Sequence, residues 1–179
     1  MRVVDYKLFP VYGDNRILFL DIDTHSVRTQ RPSHRFYTDI AGAFSVFSPM
    51  INNIYVIGAG AYTLPINLRK QYPDAKITVG EIDPEVEKIG RAYFDSDSYN
   101  LQTEIGDARV RFVNNDIRAE KYDLIYGDAY NSFISVPWDL LTKEFNENIK
   151  SHLTPDGVYA CNFAGTLEGP NAKMFESIY

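Results

Sequence analysis

The pattern of hydrophobic and polar residues changes near residue 31. Before this point apolar and polar side chains alternate, and residues 16–22 read as a strand that follows a turn at residues 12–15. After it, short apolar runs alternate with stretches of helical periodicity. The pattern therefore predicts a small N-terminal β hairpin unit over residues 1–31 and an α/β domain over residues 32–179.

Five apolar runs in the second unit predict strands separated by helices. These strands are 54–57, 76–80, 101–105, 122–127 and 157–163. Because each run is mostly apolar, we expect a parallel sheet that is covered by helices on both faces. Asp83 and Pro84 predict the start of the helix after the second strand, with Val86, Ile89 and Tyr93 on its apolar face.

The residues that follow these strands suggest a ligand site, because ligands bind parallel sheets at the carboxyl ends of the strands. Gly58 and Gly60 follow the first strand, where glycines let the backbone approach a ligand closely. Glu81 comes 23 residues after Gly58, a spacing at which an acid accepts hydrogen bonds from ribose hydroxyls. Asp107 follows the third strand and suits an adenine amino group, and Asp128 follows the fourth. Glycines and acids at these positions are also common as simple turn formers and N-caps.

The glycine pattern distinguishes between kinds of nucleotide ligand. A pyrophosphate cofactor prefers a third glycine, and Thr63 occupies that position here. An adenosyl sulfonium carries no phosphates, and it is therefore the more suitable ligand for this loop.

Several segments together resemble the spermidine synthase family of polyamine aminopropyltransferases, and its spermidine synthase-like branch in particular. The segments that carry the resemblance are Val56-Ile57-Gly58-Ala59-Gly60, Val79-Gly80-Glu81-Ile82-Asp83-Pro84, Gly106-Asp107, Tyr122-Asp123-Leu124-Ile125-Tyr126-Gly127-Asp128 and Leu141-Thr142-Lys143-Glu144-Phe145. The resemblance implies a Rossmann sheet like that of class I S-adenosylmethionine-dependent methyltransferases. It also implies aminopropyl transfer from decarboxylated S-adenosylmethionine, as co-substrate, to a diamine or polyamine, with no metal.

The resemblance assigns roles to residues of this chain. Asp128 matches the catalytic aspartate. The positions implied to bind the nucleoside are Gly58, Gly60, Glu81, Ile82, Asp107 and Ala108. The positions implied to bind the amine are Tyr37, Asp39, Tyr130 and Asn131.

The sequence departs from the family pattern at three places. Ala61-Tyr62 stand where the family usually has an aspartate after its glycines, and Asn131 stands where it has a second aspartate after Asp128. The predicted helix over 172–179 ends the chain, so we expect the family's last two C-terminal strands to be missing.

Composition narrows the partners that we expect. With 18 Lys and Arg against 24 Asp and Glu, the formal net charge is -6, which disfavours nucleic acid and is compatible with cationic ligands. The small cationic amine substrate is implied by the resemblance. The single cysteine, Cys161, excludes an intrachain disulfide and a multi-cysteine zinc site. The resemblance also implies that the protein forms a homodimer. It leaves open whether the full-length gene encodes a fusion to membrane-embedded segments.

The location of the protein is predicted from two stretches of sequence. No targeting segment is visible at the N-terminus, which predicts a cytoplasmic protein. Residues 40–68 carry no charge, but their Asn, Ser and Pro content indicates a buried helix, a turn and a buried strand rather than a membrane span.

Two other functions remain open at this point. One is an S-adenosylmethionine-dependent methyltransferase, which would have to hold the methionine carboxylate. The other is a non-catalytic nucleoside-binding or assembly domain, for which Asn131 and the short C-terminus argue.

Overall fold

The computed structural model describes residues 1–7, 14–20, 23–29, 41–48, 50–113, 120–130 and 136–163. The strands in these ranges are β1 (Arg2–Lys7), β2 (Asp14–Leu20), β3 (Asp23–Thr29), β4 (Asn53–Ile57), β5 (Lys76–Glu81), β6 (Gln102–Ile105), β7 (Tyr122–Gly127) and β8 (Leu153–Cys161). The α-helices are α1 (Thr63–Gln71), α2 (Pro84–Phe94), α3 (Ala108–Val113) and α4 (Lys143–Ser151). Short 3₁₀ helices cover Ala41–Val46, Ser96–Tyr99 and Trp138–Leu140.

Strands β4 to β8 form the five-stranded sheet that the apolar runs predict. Its order is β6-β5-β4-β7-β8, and every neighbouring pair is parallel. The α/β fold class is therefore confirmed. Because β4 lies between β5 and β7, the turns that follow these three strands meet at one edge of the sheet.

Helices cover both faces of this sheet. On one face, Val56 and Val79 of the sheet pack with Leu64 and Leu68 of α1 and Val86 of α2. On the other face, the buried side chains are Tyr55, Ile57, Phe112, Tyr122, Ile125, Leu140, Phe145 and Ile149. Burial on both sides explains why β4, β5 and β7 read as mostly apolar runs rather than as alternating ones, whereas the edge strand β6 is mostly exposed.

The N-terminal unit has one strand more than the predicted hairpin. Strands β1, β2 and β3 form an antiparallel sheet in that order. Asp14 and Asn15, predicted to lie in a turn, instead belong to β2, where they pair with Lys7 and Tyr6. The predicted boundary near residue 31 lies outside the described residues.

This small sheet packs against the larger domain. Leu18 of β2 is fully buried in a cluster with Ala61 and Phe94. Arg28 of β3 forms an ion pair with Asp95 at the end of α2. Ser26 and Val27 of β3 contact the turn that follows β4, so the N-terminal sheet supports one wall of the site described below.

Two local expectations differ from the structure. The last strand begins at Leu153 rather than at residue 157, and a register shift against β7 between Tyr122 and Leu124 accommodates the additional residues. Tyr93 is 47% exposed, and its neighbour Phe94 is buried instead. The structure at these positions depends on which neighbouring segment packs against them, and the periodicity of the sequence does not give that information.

The uncharged stretch from residue 40 to 68 also differs from its prediction in part. Its helix is the 3₁₀ helix at Ala41–Val46, with Val46 81% exposed rather than buried, although the buried strand β4 follows as expected. In the part of the chain that the structure describes, no helix has the length and apolar character needed to cross a bilayer. The helix predicted over 172–179 lies outside the described residues.

Candidate active site

A cavity of about 430 Å³ opens at the carboxyl edge of the parallel sheet. This volume lies within the range of roughly 300–1,000 Å³ that small-molecule sites occupy. Eight of the predicted site residues line it: Gly58, Gly60, Glu81, Ile82, Asp107, Ala108, Asp128 and Tyr130. The fold thus brings residues from the ends of four strands to one cavity, while Tyr37, Asp39 and Asn131 lie outside the described residues.

The turn after β4 requires glycine at two positions. Gly58 has a φ of +93°, and a Cβ atom on it would lie 2.7 Å from the backbone oxygen of Asp128. Gly60 has a φ of +50°, and a Cβ there would lie 2.5 Å from the Ser26 hydroxyl oxygen. These glycines therefore let the turn pass close to β7 on one side and to the N-terminal sheet on the other.

The same turn is held by hydrogen bonds from outside it. The Ala61 backbone N–H donates to the Ser26 hydroxyl at 2.9 Å, and the Thr63 hydroxyl donates to the backbone oxygen of Val27 at 3.3 Å. Ala61 and Tyr62 are buried, so the residues that replace the expected aspartate contribute to packing.

Glu81 is buried at the end of β5 and is anchored by the backbone. One carboxylate oxygen accepts from the Ala59 N–H at 2.8 Å and the other from the Asp83 N–H at 2.9 Å. Burial raises the pKa of this carboxyl, and the backbone hydrogen bonds oppose the rise. Each carboxylate oxygen can accept a further hydrogen bond, so Glu81 can hold the glycine turn and still bind a ligand.

Asp107 and Asp83 lie at the cavity and also begin helices. Asp107 accepts from the Arg109 N–H at 2.8 Å, and Asp83 accepts from the Glu85 N–H at 2.8 Å, as predicted for an N-cap. Ile82 is 70% exposed beside them. Both carboxylates therefore have a structural role that does not depend on a ligand.

Asp128 is in a different environment at the end of β7. Its carboxylate accepts from the Asn162 side-chain amide, Nδ2 to Oδ1, at 2.9 Å. Burial raises the pKa of Asp128 to about 7, and the hydrogen bond from Asn162 acts in the opposite direction. A carboxyl with such a pKa can both hold and release a proton near neutral pH.

Asn162 and the segment Pro137–Leu140 are site residues that were not predicted. Asn162 follows β8, and its backbone oxygen accepts from the Tyr130 hydroxyl at 2.6 Å. Its place at the carboxyl end of the fifth predicted strand was the available signal. Trp138, the single tryptophan of the chain, lines the cavity and is 78% exposed.

Arg109 holds the segment that carries Trp138. Its guanidinium donates to the backbone oxygen of Asp139 and to the Thr142 hydroxyl, the latter at 3.2 Å. Thr142 in turn accepts from the Phe145 N–H at 3.2 Å and so caps α4. The rim of the cavity is thus tied to the body of the domain.

The charge of the cavity has one sign in the part that the structure describes. Its described lining includes five carboxylates and no Lys, Arg or His; the acids are Glu81, Asp83, Asp107, Asp128 and Asp139. Low-dielectric walls strengthen the field of such a group of charges. The cavity therefore favours a cationic ligand over an anionic one.

The cavity has two sides with different residues. The glycine side comprises Gly58, Gly60 and Glu81, and the Asp128 side comprises Asp128 and Tyr130.

Comparisons with known proteins give relatives on this fold. The chain is 34% identical to the polyamine aminopropyltransferase of Vibrio vulnificus over 146 residues, which are 80% of this chain and 48% of that protein. It is 36% identical over 118 residues to the N-terminal histidine N-methyltransferase of Emericella nidulans, which covers 65% of this chain and 20% of that protein. No protein-family profile matches the chain.

A solved structure shares the fold of this chain. The crystal structure of a probable spermidine synthase from Corynebacterium glutamicum matches with a TM-score of 0.74 and 22% identity, over 90% of this chain and 60% of that one. The chain spans about half the length of the aminopropyltransferase that it matches.

Proposed function

We propose that this chain, which belongs to the spermidine synthase family, transfers an aminopropyl group from decarboxylated S-adenosylmethionine to an amine. The observation that carries the proposal is the five-carboxylate lining of the cavity, which in its described part has no basic side chain. Both reactants are cations, a sulfonium with a primary ammonium and a protonated diamine or polyamine. Carboxylates lower the cost of bringing two such cations together.

The glycine side is proposed to hold the nucleoside. Glu81 accepts from the ribose hydroxyls with the acceptor capacity that its backbone hydrogen bonds leave. Asp107 accepts from the adenine amino group, with Ile82 and Ala108 beside the ring. The support is their common position around the cavity.

Asp128 is proposed as the catalytic residue. A primary amine has a pKa of about 10 and therefore arrives protonated. The Asp128 carboxylate holds the ammonium, aligns it and accepts its proton. The amine nitrogen then attacks the carbon next to sulfur; the C–N bond forms, the C–S bond breaks, and its electron pair leaves with methylthioadenosine.

Tyrosines are proposed to complete the amine site. Tyr130 lines the cavity and offers an aromatic face to the cation. Tyr37, Asp39 and Asn131 are proposed as further contacts because they match the family motif. The step requires no metal ion, since the amine attacks an already activated sulfonium carbon.

A methyltransferase on the same fold is the second candidate, and the match to the histidine N-methyltransferase favours it. Its donor, S-adenosylmethionine, carries a carboxylate that would face the same five acids. Like charges oppose binding. The decarboxylated donor lacks this carboxylate, so the charge of the cavity favours aminopropyl transfer over methyl transfer.

The quaternary structure and location form part of the proposal. We propose a homodimer in the cytoplasm, on the basis of the family resemblance. Light scattering of the purified chain at several concentrations tests the dimer, and a monomer at the highest concentration contradicts it.

The proposal is tested by ligand-induced stabilisation and product release. The melting temperature is measured with decarboxylated S-adenosylmethionine, S-adenosylmethionine and methylthioadenosine, and we expect the decarboxylated form to stabilise more than the carboxylated one. Release of methylthioadenosine is then followed with putrescine and with spermidine. Stronger stabilisation by S-adenosylmethionine, with methyl transfer to an amine, would favour the second candidate; no response to any nucleoside would contradict both enzymes.

A further inference from the structure

Asn162 connects the two residues that face the cavity on the Asp128 side. Its side-chain Nδ2 donates to Asp128 Oδ1 at 2.9 Å. Its backbone oxygen accepts from the Tyr130 hydroxyl at 2.6 Å. Its backbone N–H donates to the Gly127 oxygen at 2.9 Å, which extends the pairing of β7 and β8 beyond the last strand residue. One residue thus joins Asp128, Tyr130 and the sheet.

Asn162 contacts Asp128 from outside the cavity. Asp128 and Tyr130 are among the residues that line the cavity, and Asn162 is not. Instead it lines a small neighbouring apolar gap, together with Phe145, Tyr159 and Cys161. Asp128 therefore lines the cavity itself, while the Asn162 side chain that holds its carboxylate does not.

The chemistry of an amide suits this position. An asparagine side chain has no charge at any pH near neutrality, so it adds no competing ion beside a carboxylate that has to bind an ammonium. Its NH₂ group donates to a carboxylate, and its carbonyl oxygen accepts from a protonated carboxyl. The amide can therefore hold Asp128 both before and after this residue takes up a proton.

We propose that Asn162 is a positioning residue, which orients the Asp128 carboxylate toward the amine and links it to Tyr130. The consequence for catalysis rests on the proposed function, but the effect on the Asp128 carboxyl itself does not. Burial and the Asn162 hydrogen bond shift the pKa of Asp128 in opposite directions. Removal of the amide should therefore make the carboxyl titrate at higher pH.

The first test measures Asp128 directly. The side-chain carboxyl carbon of Asp128 is titrated by NMR in the wild type, in Asn162→Ala and in Asn53→Ala. Asn53 is the matched control: it is a partly buried amide that donates to the Lys121 oxygen at 2.7 Å, at the opposite end of the sheet. We expect the midpoint to rise by about one pH unit in Asn162→Ala and to stay unchanged in Asn53→Ala.

A second variant, Asn162→Asp, tests the proposal if Asn162→Ala does not fold. Asn162→Asp has nearly the same size but replaces the donor with a second carboxylate. The two acids then share a proton, and their upper apparent pKa should exceed that of Asp128 in the wild type. An unchanged midpoint in the variants that fold would overturn the proposal.

The catalytic consequence is tested through the pH profile. In Asn162→Ala, kcat for methylthioadenosine release should fall roughly 10–100-fold, with its acid limb moved to higher pH and the KM for the nucleoside unchanged. A fall in kcat with an unmoved acid limb would contradict the positioning role. If no amine supports turnover in the wild type, the proposed function fails, while the NMR titration still decides the role of Asn162.

Discussion

The two sides of the cavity hold their carboxylates in different ways. On the glycine side, both oxygens of Glu81 accept from backbone N–H groups, and the surrounding turn is set by Gly58 and Gly60. On the Asp128 side, the described partner of the carboxylate is one side chain, that of Asn162. Backbone donors belong to the fold itself, whereas a side-chain donor can be changed without altering the path of the chain.

In the proposed function, this difference separates binding of the nucleoside from proton transfer within one cavity. Burial raises the pKa of Glu81, but several backbone N–H groups donate to its carboxylate and oppose this rise. Glu81 therefore serves as a hydrogen-bond acceptor in a fixed position. Burial raises the pKa of Asp128 to about 7, because the hydrogen bond from Asn162 opposes only part of the effect of desolvation. A rigid acceptor suits a nucleoside, and a carboxyl that titrates near neutrality suits proton transfer.

The largest expected effect is the loss of turnover in Asp128→Asn. The variant keeps the shape of the side chain but removes the charge and the base, so kcat should fall by about 10²–10⁴ while affinity for methylthioadenosine is retained. Asp107→Asn makes the same change at the proposed nucleoside site. It should weaken the affinity for methylthioadenosine with little change in kcat. A retained kcat in Asp128→Asn would refute the assigned base.

Gly58→Ala should cause the largest loss of stability among these variants. The new Cβ would lie 2.7 Å from the Asp128 backbone oxygen, and the φ of +93° is unfavourable for alanine, so we expect a cost of about 2–4 kcal/mol. Gly106→Ala is the control, because Gly106 also has a positive φ, +155°, but a Cβ there meets no atom within 4 Å. Equal free energies of unfolding for the two variants would show that the close approach of Gly58 to the Asp128 backbone oxygen does not limit the side chain at position 58.

Glu81→Ala tests whether the glycine side binds the ribose. The change removes the acceptor of the Ala59 and Asp83 N–H groups as well as the ribose contact, so calorimetry should show a loss of about 1–3 kcal/mol in methylthioadenosine binding. Glu87→Ala, which removes only a surface ion pair with Arg91, should leave binding unchanged. Undiminished affinity in Glu81→Ala would refute the ribose role.

The last prediction is a pH-dependent gain in stability in Asp128→Asn. Since the folded-state pKa of about 7 exceeds the ordinary value of 3.8, the folded state binds the proton more tightly, and wild-type stability falls as pH rises through this interval. The substitution removes this cost, and it should raise the free energy of unfolding by about 1–3 kcal/mol at pH 8 and by less at pH 5. The exposed Asp156→Asn should show no such difference, and a gain that is equal at both pH values would contradict the raised pKa.

Local sequence was sufficient to predict the elements and the positions that follow the strands. The apolar runs are set by burial on both faces of the sheet, and the Asp83-Pro84 helix start depends on hydrogen bonds within a few residues. Because parallel strands carry ligands at one edge, the order of strands and turns along the chain is enough to group residues such as Glu81, Asp107 and Asp128.

Tertiary structure decided what surrounds each of these residues. The Asn162–Asp128 hydrogen bond joins residues 34 positions apart, and the Ser26–Ala61 hydrogen bond joins residues 35 positions apart. Neither contact follows from periodicity or from a motif, because both depend on how separate strands and sheets pack. The raised pKa of Asp128 has the same origin, since desolvation comes from the neighbours that the fold places around a carboxyl and not from the residues beside it in the chain.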